Sequence, residues 1–505
     1  MQRDRRPSTA ASWRGLVCLA ALALVLLAAP AAADDGKTPR FEKADCWFIV
    51  PKGQAATCGH LIVLEDRTKP AGPRVSLPIV VIRASGSSRL ADPVVFLSGG
   101  PGQGVGLDKD GMKTWWGFGK HWSWMKNRDL ILFEQRGTGL AEPSLNCPEI
   151  DERGIELMQA MQDAERVRAI YAAALDKCRT RLTGAGIDLA RYGTRDTATD
   201  LAELREALGI KQWNLAGVSY GTRLALTTMH DHPAGIRSVI LDSVYPPEVR
   251  AYESRQAGVE AAFKKLFEAC RVTAYCRVNY PELERSLFKT IAWLDTRPLP
   301  VTVPDPRDGK PIKVRVTGQT LVEMTRYALA FSDARFALPA FLNAVSLVDP
   351  SVLEPVMSHM IESSLGLGLG EFSEGKFYAV ECNEEIPFND PERVRQDSAQ
   401  HRRFAGFAYQ LEDLPDCDSW RNGPLDDSLK APIESDIPTL VLSGEFDPIT
   451  PTDFAQTAVS RLKNGRLVTV AGSGHSLLTT SRCAIDVAAA FLKKPTAALK
   501  SECVE

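Results

Sequence analysis

The 505-residue sequence lacks the features that mark several large classes of protein. Its charge is near balance, with 60 Lys and Arg against 63 Asp and Glu, and it has no long run of either sign, so nucleic acid is not an expected partner. Neither C-x-x-C nor H-E-x-x-H occurs, which argues against zinc, and no cofactor is implied. Hydrophobic content of 44% is ordinary for a globular chain. The length predicts two to three domain-sized units, or one large domain with an insertion.

Long apolar stretches are also scarce, and the one that stands out is at the start of the chain. Several arginines precede the stretch Leu16 to Ala29, and small residues follow it up to Ala33. This order is typical of a secretory signal peptide, predicted here over residues 1–33 with cleavage after Ala33. An uncleaved anchor helix is the alternative, although the stretch is short for a membrane span. We expect an exported protein with no stable membrane association after cleavage.

Cysteine usage agrees with export. Of the 11 cysteines, Cys18 lies in the predicted leader, which leaves an even number in the mature chain. An even count in an exported chain predicts disulfides. Pairing neighbours in order predicts Cys46–Cys58, Cys147–Cys178, Cys270–Cys276, Cys382–Cys417 and Cys483–Cys503.

Short apolar runs alternate with helical patterns through much of the chain. Strands are predicted at 76–82, 93–97, 129–133, 213–216, 238–242, 438–443 and 466–470, with helices at 166–182, 197–208 and 483–492 between or after them. This alternation predicts an α/β fold with a mostly parallel sheet and helices on both faces. From Tyr245 the pattern changes to longer amphipathic segments, interrupted by a glycine-rich stretch at 365–370. We therefore predict core residues 34–244, an inserted and mainly helical cap over 245–434, and the rest of the core over 435–505.

The pentapeptide Gly217 to Gly221 has the G-x-S-x-G pattern, directly after one predicted strand and before a helical stretch. A serine on so tight a turn needs small neighbours, and the strained backbone presents its hydroxyl to the cleft. Ser219 is therefore the predicted nucleophile. A plain Gly-Ser surface turn is the alternative.

A serine nucleophile needs a base, and the base needs an orienting acid. His475 lies in a glycine-flanked loop after the last predicted strand, and Asp447 follows the strand before it. The order Ser, Asp, His is that of α/β-hydrolases. Glu445 and Asp453 compete with Asp447 for the orienting role.

Backbone donors for an oxyanion are predicted from a second glycine-rich turn, which follows the strand at 93–97. Gly100 and the residue after the nucleophile, Tyr220, are the expected donors, with Gly99 in reserve. The spacing does not match G-x-G-x-x-G and a proline interrupts it, which disfavours a dinucleotide loop.

Four motifs in order resemble the α/β-hydrolases of the proline iminopeptidase and tripeptidyl aminopeptidase family, and the export signal and cysteines are closer to the secreted tripeptidyl branch. They are Gly99-Gly100-Pro101-Gly102, Glu134 to Gly139, Gly217 to Arg223 and Gly444 to Pro448, with His475 following. Two positions depart from many iminopeptidases: Ser98 where they have histidine, and Glu134 where they have aspartate. The Glu134 to Gly139 motif is interpreted as an architectural turn, although Glu134 or Arg136 could also touch substrate.

The resemblance implies a serine aminopeptidase that acts on peptides with a free amino terminus. A carboxylate should then pair with the substrate ammonium. The acids around Cys382 are the candidates, Glu384 first, with Glu381 and Glu385 as alternatives. An exported esterase or lipase with the same triad is the nearest alternative function. A non-catalytic binding protein of this fold would be expected to have a broken triad.

Overall fold

The computed structural model of the chain describes residues 38–160, 163–330, 332–347, 350–364, 372–404, 417–498 and 502–504. The predicted leader, residues 1–33 with Cys18, and the glycine-rich stretch 365–370 lie outside the described residues. A membrane-crossing helix would need more length and apolarity than any helix in the described ranges has.

Seven strands of the described chain match the predicted apolar runs, and five more were not predicted: two at the start, two in the predicted cap, and one at the end. Their bounds are β1 (Arg40–Ala44), β2 (Ala56–Leu64), β3 (Arg74–Ile82), β4 (Val94–Leu97), β5 (Leu130–Phe133), β6 (Trp213–Val218), β7 (Ile236–Asp242), β8 (Leu299–Pro304), β9 (Pro311–Val316), β10 (Thr439–Gly444), β11 (Gly465–Ala471) and β12 (Glu502–Val504).

Ten of these strands form one sheet, in the order β1-β2-β3-β5-β4-β6-β7-β10-β11-β12. The pairs β1·β2, β2·β3 and β3·β5 are antiparallel, and the remaining pairs, from β5·β4 onward, are parallel. The prediction of a mostly parallel sheet is confirmed. The parallel strands β4, β6, β7, β10 and β11 all end at one edge, so the loops that follow them lie close together.

Helices connect and cover the strands. Their bounds are α1 (Lys109–Gly119), α2 (Pro148–Asp151), α3 (Gly154–Gln159), α4 (Ala164–Gly184), α5 (Thr194–Ala207), α6 (Tyr220–Asp231), α7 (Arg255–Val272), α8 (Ala274–Asn279), α9 (Leu283–Thr296), α10 (Gly318–Ala330), α11 (Ser332–Ser346), α12 (Glu354–Ser364), α13 (Glu374–Glu384), α14 (Pro391–Gln400), α15 (Thr452–Arg461), α16 (Leu477–Thr480) and α17 (Arg482–Lys493).

Alternating strand residues bury two separate apolar layers, one on each face of the sheet. In β4, Val94 and Phe96 belong to the layer that includes α1 and α17, whereas Val95 and Leu97 belong to the layer that includes α5, α6 and α15. Both strand faces are apolar because helices cover both of them. The predicted helices on both faces are therefore confirmed.

The segment between β7 and β10 is mainly helical, as predicted, but it also contains a two-stranded antiparallel hairpin, β8·β9. The prolines at both ends of this hairpin obscured it in the sequence, since proline disfavours central strands. The hairpin does not pair with the large sheet, so its prolines remove no hydrogen bond from that sheet. This segment buries its own apolar cluster, centred on residues such as Phe263 and Leu321. The predicted boundaries at 245 and 434 stay predictions.

Five disulfides join the cysteines, and all five pairs are the predicted ones: Cys46–Cys58, Cys147–Cys178, Cys270–Cys276, Cys382–Cys417 and Cys483–Cys503. In each pair the two cysteines lie on segments that pack side by side, which is why pairing neighbours in order succeeded.

Candidate active site

Ser219 occupies a sharp turn between β6 and α6, with φ of 57° and ψ of −125°. A residue other than glycine in this region of backbone space is strained by about 1–3 kcal/mol. The turn is also too tight for neighbouring side chains: a Cβ on Gly217 would collide with the carbonyl oxygen of Gly221, and a Cβ on Gly221 with that of Leu97. The Ser219 N–H donates to the carbonyl oxygen of Asp242 on the next strand (3.0 Å). The G-x-S-x-G pattern therefore forms a strained strand-to-helix turn.

Asp447 and His475 form a hydrogen-bonded pair in the loops after β10 and β11. His475 Nδ1 lies 2.8 Å from Asp447 Oδ2. Three further donors hold this carboxylate: the N–H groups of Ile449 (2.8 Å) and Thr450 (3.0 Å), and the Thr450 hydroxyl (2.7 Å). Since an ionised carboxylate only accepts, the imidazole donates from Nδ1 and leaves Nε2 able to take a proton.

The electrostatics of this pair favour its charged form. Burial raises the pKa of Asp447, but the nearby His475 and the hydrogen bonds to the carboxylate outweigh it and hold this pKa below its usual value. Burial likewise lowers the pKa of His475, while the Asp447 carboxylate raises it, and the net shift is upward. The pair can therefore stabilise an imidazolium that forms when a proton is taken up.

The two competing acids lie elsewhere. The Glu445 carboxylate accepts the N–H of Gly472 (2.7 Å), and Asp453 is exposed in the first turn of α15. Of the three candidates, the acid at the imidazole is Asp447.

The predicted backbone donors lie around Ser219. A Cβ built on Gly99 would be 3.0 Å from the Ser219 Cβ, a tight contact that would press on the serine by a few tenths of an ångström. Gly100 has φ of 108° and lines the same cavity as Ser219. Tyr220 is the first residue of α6, where backbone N–H groups have no partner within the helix. These amides could hold an oxyanion at the serine.

The two residues of the Glu134 to Gly139 motif that could have touched substrate have internal partners. Glu134 accepts the N–H of Val105 (3.0 Å) and the Thr138 hydroxyl (2.8 Å). Arg136 is fully buried in a two-point contact with Asp200, with both nitrogen–oxygen distances 2.6 Å. These contacts agree with the architectural interpretation of the motif.

A cavity of about 180 Å³ opens at Ser219. Its lining combines the serine turn, the Gly100 turn, the loop after β10 and the segment between β7 and β10. Glu381 is the carboxylate on this lining, and two arginines, Arg255 and Arg326, lie on it as well. The remaining walls are largely aromatic and apolar: Tyr245, Tyr252, Val259, Phe377, Ile449 and Phe454. Such a mixture of apolar walls with a few polar groups is typical of a small-molecule or peptide site.

The structure separates the three candidate acids of α13 and its C-terminus. Glu384, the first choice from sequence, accepts the N–H of Thr194 (2.7 Å) and the hydroxyl of the same residue, and so holds the start of α5. Glu385 is fully buried and accepts from Arg223 (2.7 Å) and Lys430 (2.6 Å). Glu381 is the one that lines the cavity with Ser219. The preference among the three therefore moves from Glu384 to Glu381.

Glu381 has an unusual environment for an acid. Its carboxylate accepts the Tyr252 hydroxyl (2.9 Å). Burial and then the neighbouring Glu385 carboxylate raise the pKa of Glu381 to about 7, although Arg223 opposes them. The cations nearby, Arg223 and Lys430, contact Glu385, so a ligand ammonium would stabilise the ionised form of Glu381.

Sequence reasoning missed the ion pair behind this acid. Arg223 follows the serine turn on α6, contacts Glu385, and lies 4.0 Å from the centre of the Tyr245 ring. Lys430 approaches the same carboxylate. This arrangement compensates Glu385 internally and leaves Glu381 facing the cavity. The arginine belongs to a quoted motif, but its partner lies 162 residues away and no local pattern connects them.

In the part of the chain that the structure describes, one cluster has enough ligand atoms for a metal ion: Cys147, Glu149 and Cys178. The two cysteines form a disulfide with each other, so their sulfurs are not thiolate ligands. The cluster does not fit a metal ion.

Comparison with known proteins connects this geometry to a group of relatives. Residues 92–277 match a family model described as alpha/beta hydrolase fold, and residues 404–503 match one described as TAP-like protein. These ranges contain Ser219 in the first, and Asp447 and His475 in the second.

Three curated relatives illustrate the likeness. Serine protease Hip1 of Mycobacterium tuberculosis is 24% identical over 475 residues, which cover 86% of this chain and 84% of that protein. Tripeptidyl aminopeptidase of Streptomyces lividans is 25% identical, with 84% of this chain and 78% of the relative covered. Proline iminopeptidase of Xylella fastidiosa is 26% identical over a shorter stretch, which covers 30% of this chain and 32% of the relative.

Proposed function

The chain belongs to the α/β-hydrolase family of tripeptidyl aminopeptidases and proline iminopeptidases, and from this premise we propose that it is an exported serine exopeptidase. It cuts peptides near a free amino terminus, with Ser219, His475 and Asp447 as its triad. The observation that carries this proposal is the shared cavity. Ser219, on its strained turn, and the buried carboxylate of Glu381 line the same space.

The proposed reaction is a double displacement. His475 Nε2 takes the hydroxyl proton as Ser219 Oγ attacks the peptide carbonyl, and the N–H groups of Gly100 and Tyr220 hold the oxyanion. The C–N bond then breaks, and the leaving amine takes the proton from His475. Water, activated by the same imidazole, hydrolyses the ester on Ser219 and frees the acyl peptide. Asp447 holds the imidazole tautomer throughout.

Glu381 supplies the selectivity in this proposal. Its ionised carboxylate binds the ammonium of the substrate, which anchors the first residues of the peptide at a set distance from Ser219. Peptide substrates are also what the names of the relatives indicate. An esterase with the same triad has no need of a buried carboxylate beside its acyl pocket, which is why the peptidase is favoured over the esterase.

Two features support the export part of the proposal. The predicted leader precedes the fold, and all ten cysteines that follow it form disulfides. Disulfides of this density form and persist in oxidising compartments.

A serine-directed fluorophosphonate tests the nucleophile. The wild-type protein should be labelled at Ser219, and Ser219→Ala should take up no label. Asp447→Asn should slow labelling by about 10⁴-fold, since the imidazole then lacks the acceptor that sets its tautomer. Ser88→Ala, in an exposed loop, is the matched control and should label like the wild type. Labelling of Ser219→Ala at the wild-type rate would refute the assignment.

A further inference from the structure

Asp242 is a buried acid at the end of β7, and sequence reasoning did not single it out. Its strand lies between β6, which leads to Ser219, and β10, which leads to Asp447. In register, Asp242 pairs with Val218 on one side and Leu442 on the other. The residue therefore stands at the carboxyl edge of the sheet, between the two strands that lead to the proposed nucleophile and its acid.

The carboxylate of Asp242 holds the backbone directly after His475. It accepts the N–H of Leu477 at Oδ1 (3.0 Å) and the N–H of Leu478 at Oδ2 (2.7 Å). The neighbouring Ser243 hydroxyl accepts the N–H of Ser476 (3.0 Å) and donates to Asp242 Oδ1 (3.1 Å). Three consecutive backbone N–H groups after His475 therefore donate to two adjacent side chains, those of Asp242 and Ser243.

These bonds oppose a local strain. Ser476 has φ of 63°, in the left-handed region, which costs a residue with a side chain about 1 kcal/mol or more. The loop turns there immediately after the imidazole, so its relaxation would move His475. At the same time the carbonyl oxygen of Asp242 accepts the N–H of Ser219 (3.0 Å). One residue therefore ties the histidine loop to the serine turn.

The charge of Asp242 also reaches the imidazole. Burial raises the pKa of Asp242 to about 6, against the Leu478 and Leu477 amides and His475, so the group is mostly ionised at neutral pH. The charged groups that act on His475 are Asp447 and Asp242, which raise its pKa, and Arg326 of α10, which lowers it. Asp242 thus adds a second negative charge that favours the imidazolium of His475.

We propose that Asp242 is a positioning residue, which fixes the His475 backbone to the serine turn and stabilises the imidazolium that forms during attack. This role rests on the proposed triad. Asp447 sets the tautomer of the ring, and Asp242 sets where the ring's backbone lies.

The test measures the rate of fluorophosphonate labelling against pH for Asp242→Asn. An asparagine turns one acceptor into an N–H donor that faces a backbone N–H, so the loop shifts and labelling should slow by about 10- to 100-fold. Because the negative charge is lost, the acidic limb of the pH profile should also move to lower pH. Asp129→Asn is the matched control: Asp129 is a buried acid that accepts a backbone N–H, from Ala84 (2.8 Å), but it precedes β5 at the opposite edge of the sheet. This control should lower the melting temperature and leave the rate and the limb unchanged.

Ser243→Ala is a milder second variant in case Asp242→Asn does not fold. It removes one acceptor of the loop and should slow labelling about 3- to 10-fold, the value of one neutral hydrogen bond. Labelling at the wild-type rate in both Asp242→Asn and Ser243→Ala would overturn the positioning role. So would an equal loss of labelling rate in Asp129→Asn, if the acidic limb of the pH profile does not move in Asp242→Asn. If Ser219→Ala still takes up label, the proposed triad itself fails; if it does not and Asp242→Asn is normal, only the role of Asp242 fails.

Discussion

Glu381 is the residue on which the proposed selectivity depends, and its burial has a cost. The ionised carboxylate is stabilised here by the charge of Arg223, by the hydrogen bond from the Tyr252 hydroxyl and by the charge of Lys430. Its pKa of about 7 means that the free enzyme holds this group partly protonated near neutral pH. A substrate ammonium would stabilise the ionised form, so binding and ionisation are linked.

This linkage predicts a pH dependence for cleavage of unblocked aminoacyl anilides. The value of kcat/KM should rise as Glu381 ionises around pH 7. It should fall again above about pH 8, because the α-amino group of the substrate then loses its proton. Glu381→Gln should lower kcat/KM by at least about 10-fold and remove the part of the rising limb due to Glu381. Steady-state kinetics from pH 5 to 9 measure this.

Fluorophosphonate labelling is the control for this profile, because the probe has no ammonium and should report His475 alone.

The pH dependence of stability gives a second control, because the raised pKa fixes the direction of the change. Since the folded pKa of Glu381 is raised, the wild type loses stability as pH rises through about 7, and Glu381→Gln does not. The melting temperature of Glu381→Gln should therefore rise relative to that of the wild type as the pH increases from 5 to 8. A Glu381→Gln profile identical to that of the wild type would contradict the ammonium role.

Sequence reasoning could name Ser219, Asp447 and His475 because each lies in a short motif that follows a strand, and parallel strands end at one edge. It could not choose among Glu381, Glu384 and Glu385. These acids lie within one turn of α13 and its end, and their different partners, Tyr252, Thr194 and Arg223, come from distant parts of the chain. Only the packing of α13 decides which carboxylate reaches the cavity.

At the scale of elements, helix α10 connects the inserted segment to the histidine loop. The His475 N–H donates to the carbonyl oxygen of Ala330, the last residue of α10, over 2.6 Å. Gly474 makes this approach possible, since a Cβ there would collide with the carbonyl oxygen of Leu329 and would lie close to that of Ala330. The C-terminal end of a helix also favours positive charge, and here it faces the imidazole loop.

Gly474→Ala should therefore separate α10 from the histidine loop. We expect a fall in kcat of about 10-fold or more, because backbone must move on one side of the contact and His475 moves with it. Gly117→Ala is the matched control: Gly117 lies in α1 with open space around its Cβ position, and alanine should stabilise that helix by up to about 1 kcal/mol. Activity and thermal unfolding of both variants measure the difference. Unchanged kcat in Gly474→Ala would show that α10 does not support the histidine.

The elements themselves were predictable where burial is continuous. Strands β3 to β7, β10 and β11 match apolar runs in the sequence. One helix boundary and several strands were not predicted, among them β1, β2 and β12. Helix α5 begins at Thr194 rather than at the expected Thr197, because the Glu384 carboxylate accepts the Thr194 N–H from another part of the chain. The hairpin β8·β9 was hidden by its terminal prolines.

At the scale of the whole molecule, the sheet edge contributes the serine, the acid and the histidine, and the inserted segment contributes Glu381. Ser219 from the sheet edge and Glu381 from the inserted segment line the same cavity, so the proposed reaction type depends on the core and the proposed substrate depends on the insertion. The loops after four strands and one buried helix must lie together to form this cavity. None of the five disulfides joins the core to the inserted segment, because each links segments that are close in sequence. The motifs cover the core, so the sequence could propose a triad there, whereas the choice among the candidate anchoring acids needed the packing of α13.

The most direct test of the central claim is mass spectrometry of a peptide mixture after digestion, with every peptide present in an unblocked and an Nα-acetylated form. We expect the wild type to release short amino-terminal pieces from the unblocked peptides and to leave the acetylated ones intact, and we expect Ser219→Ala to release none. Cleavage of both forms at equal rates, or cuts far from the amino terminus, would contradict it.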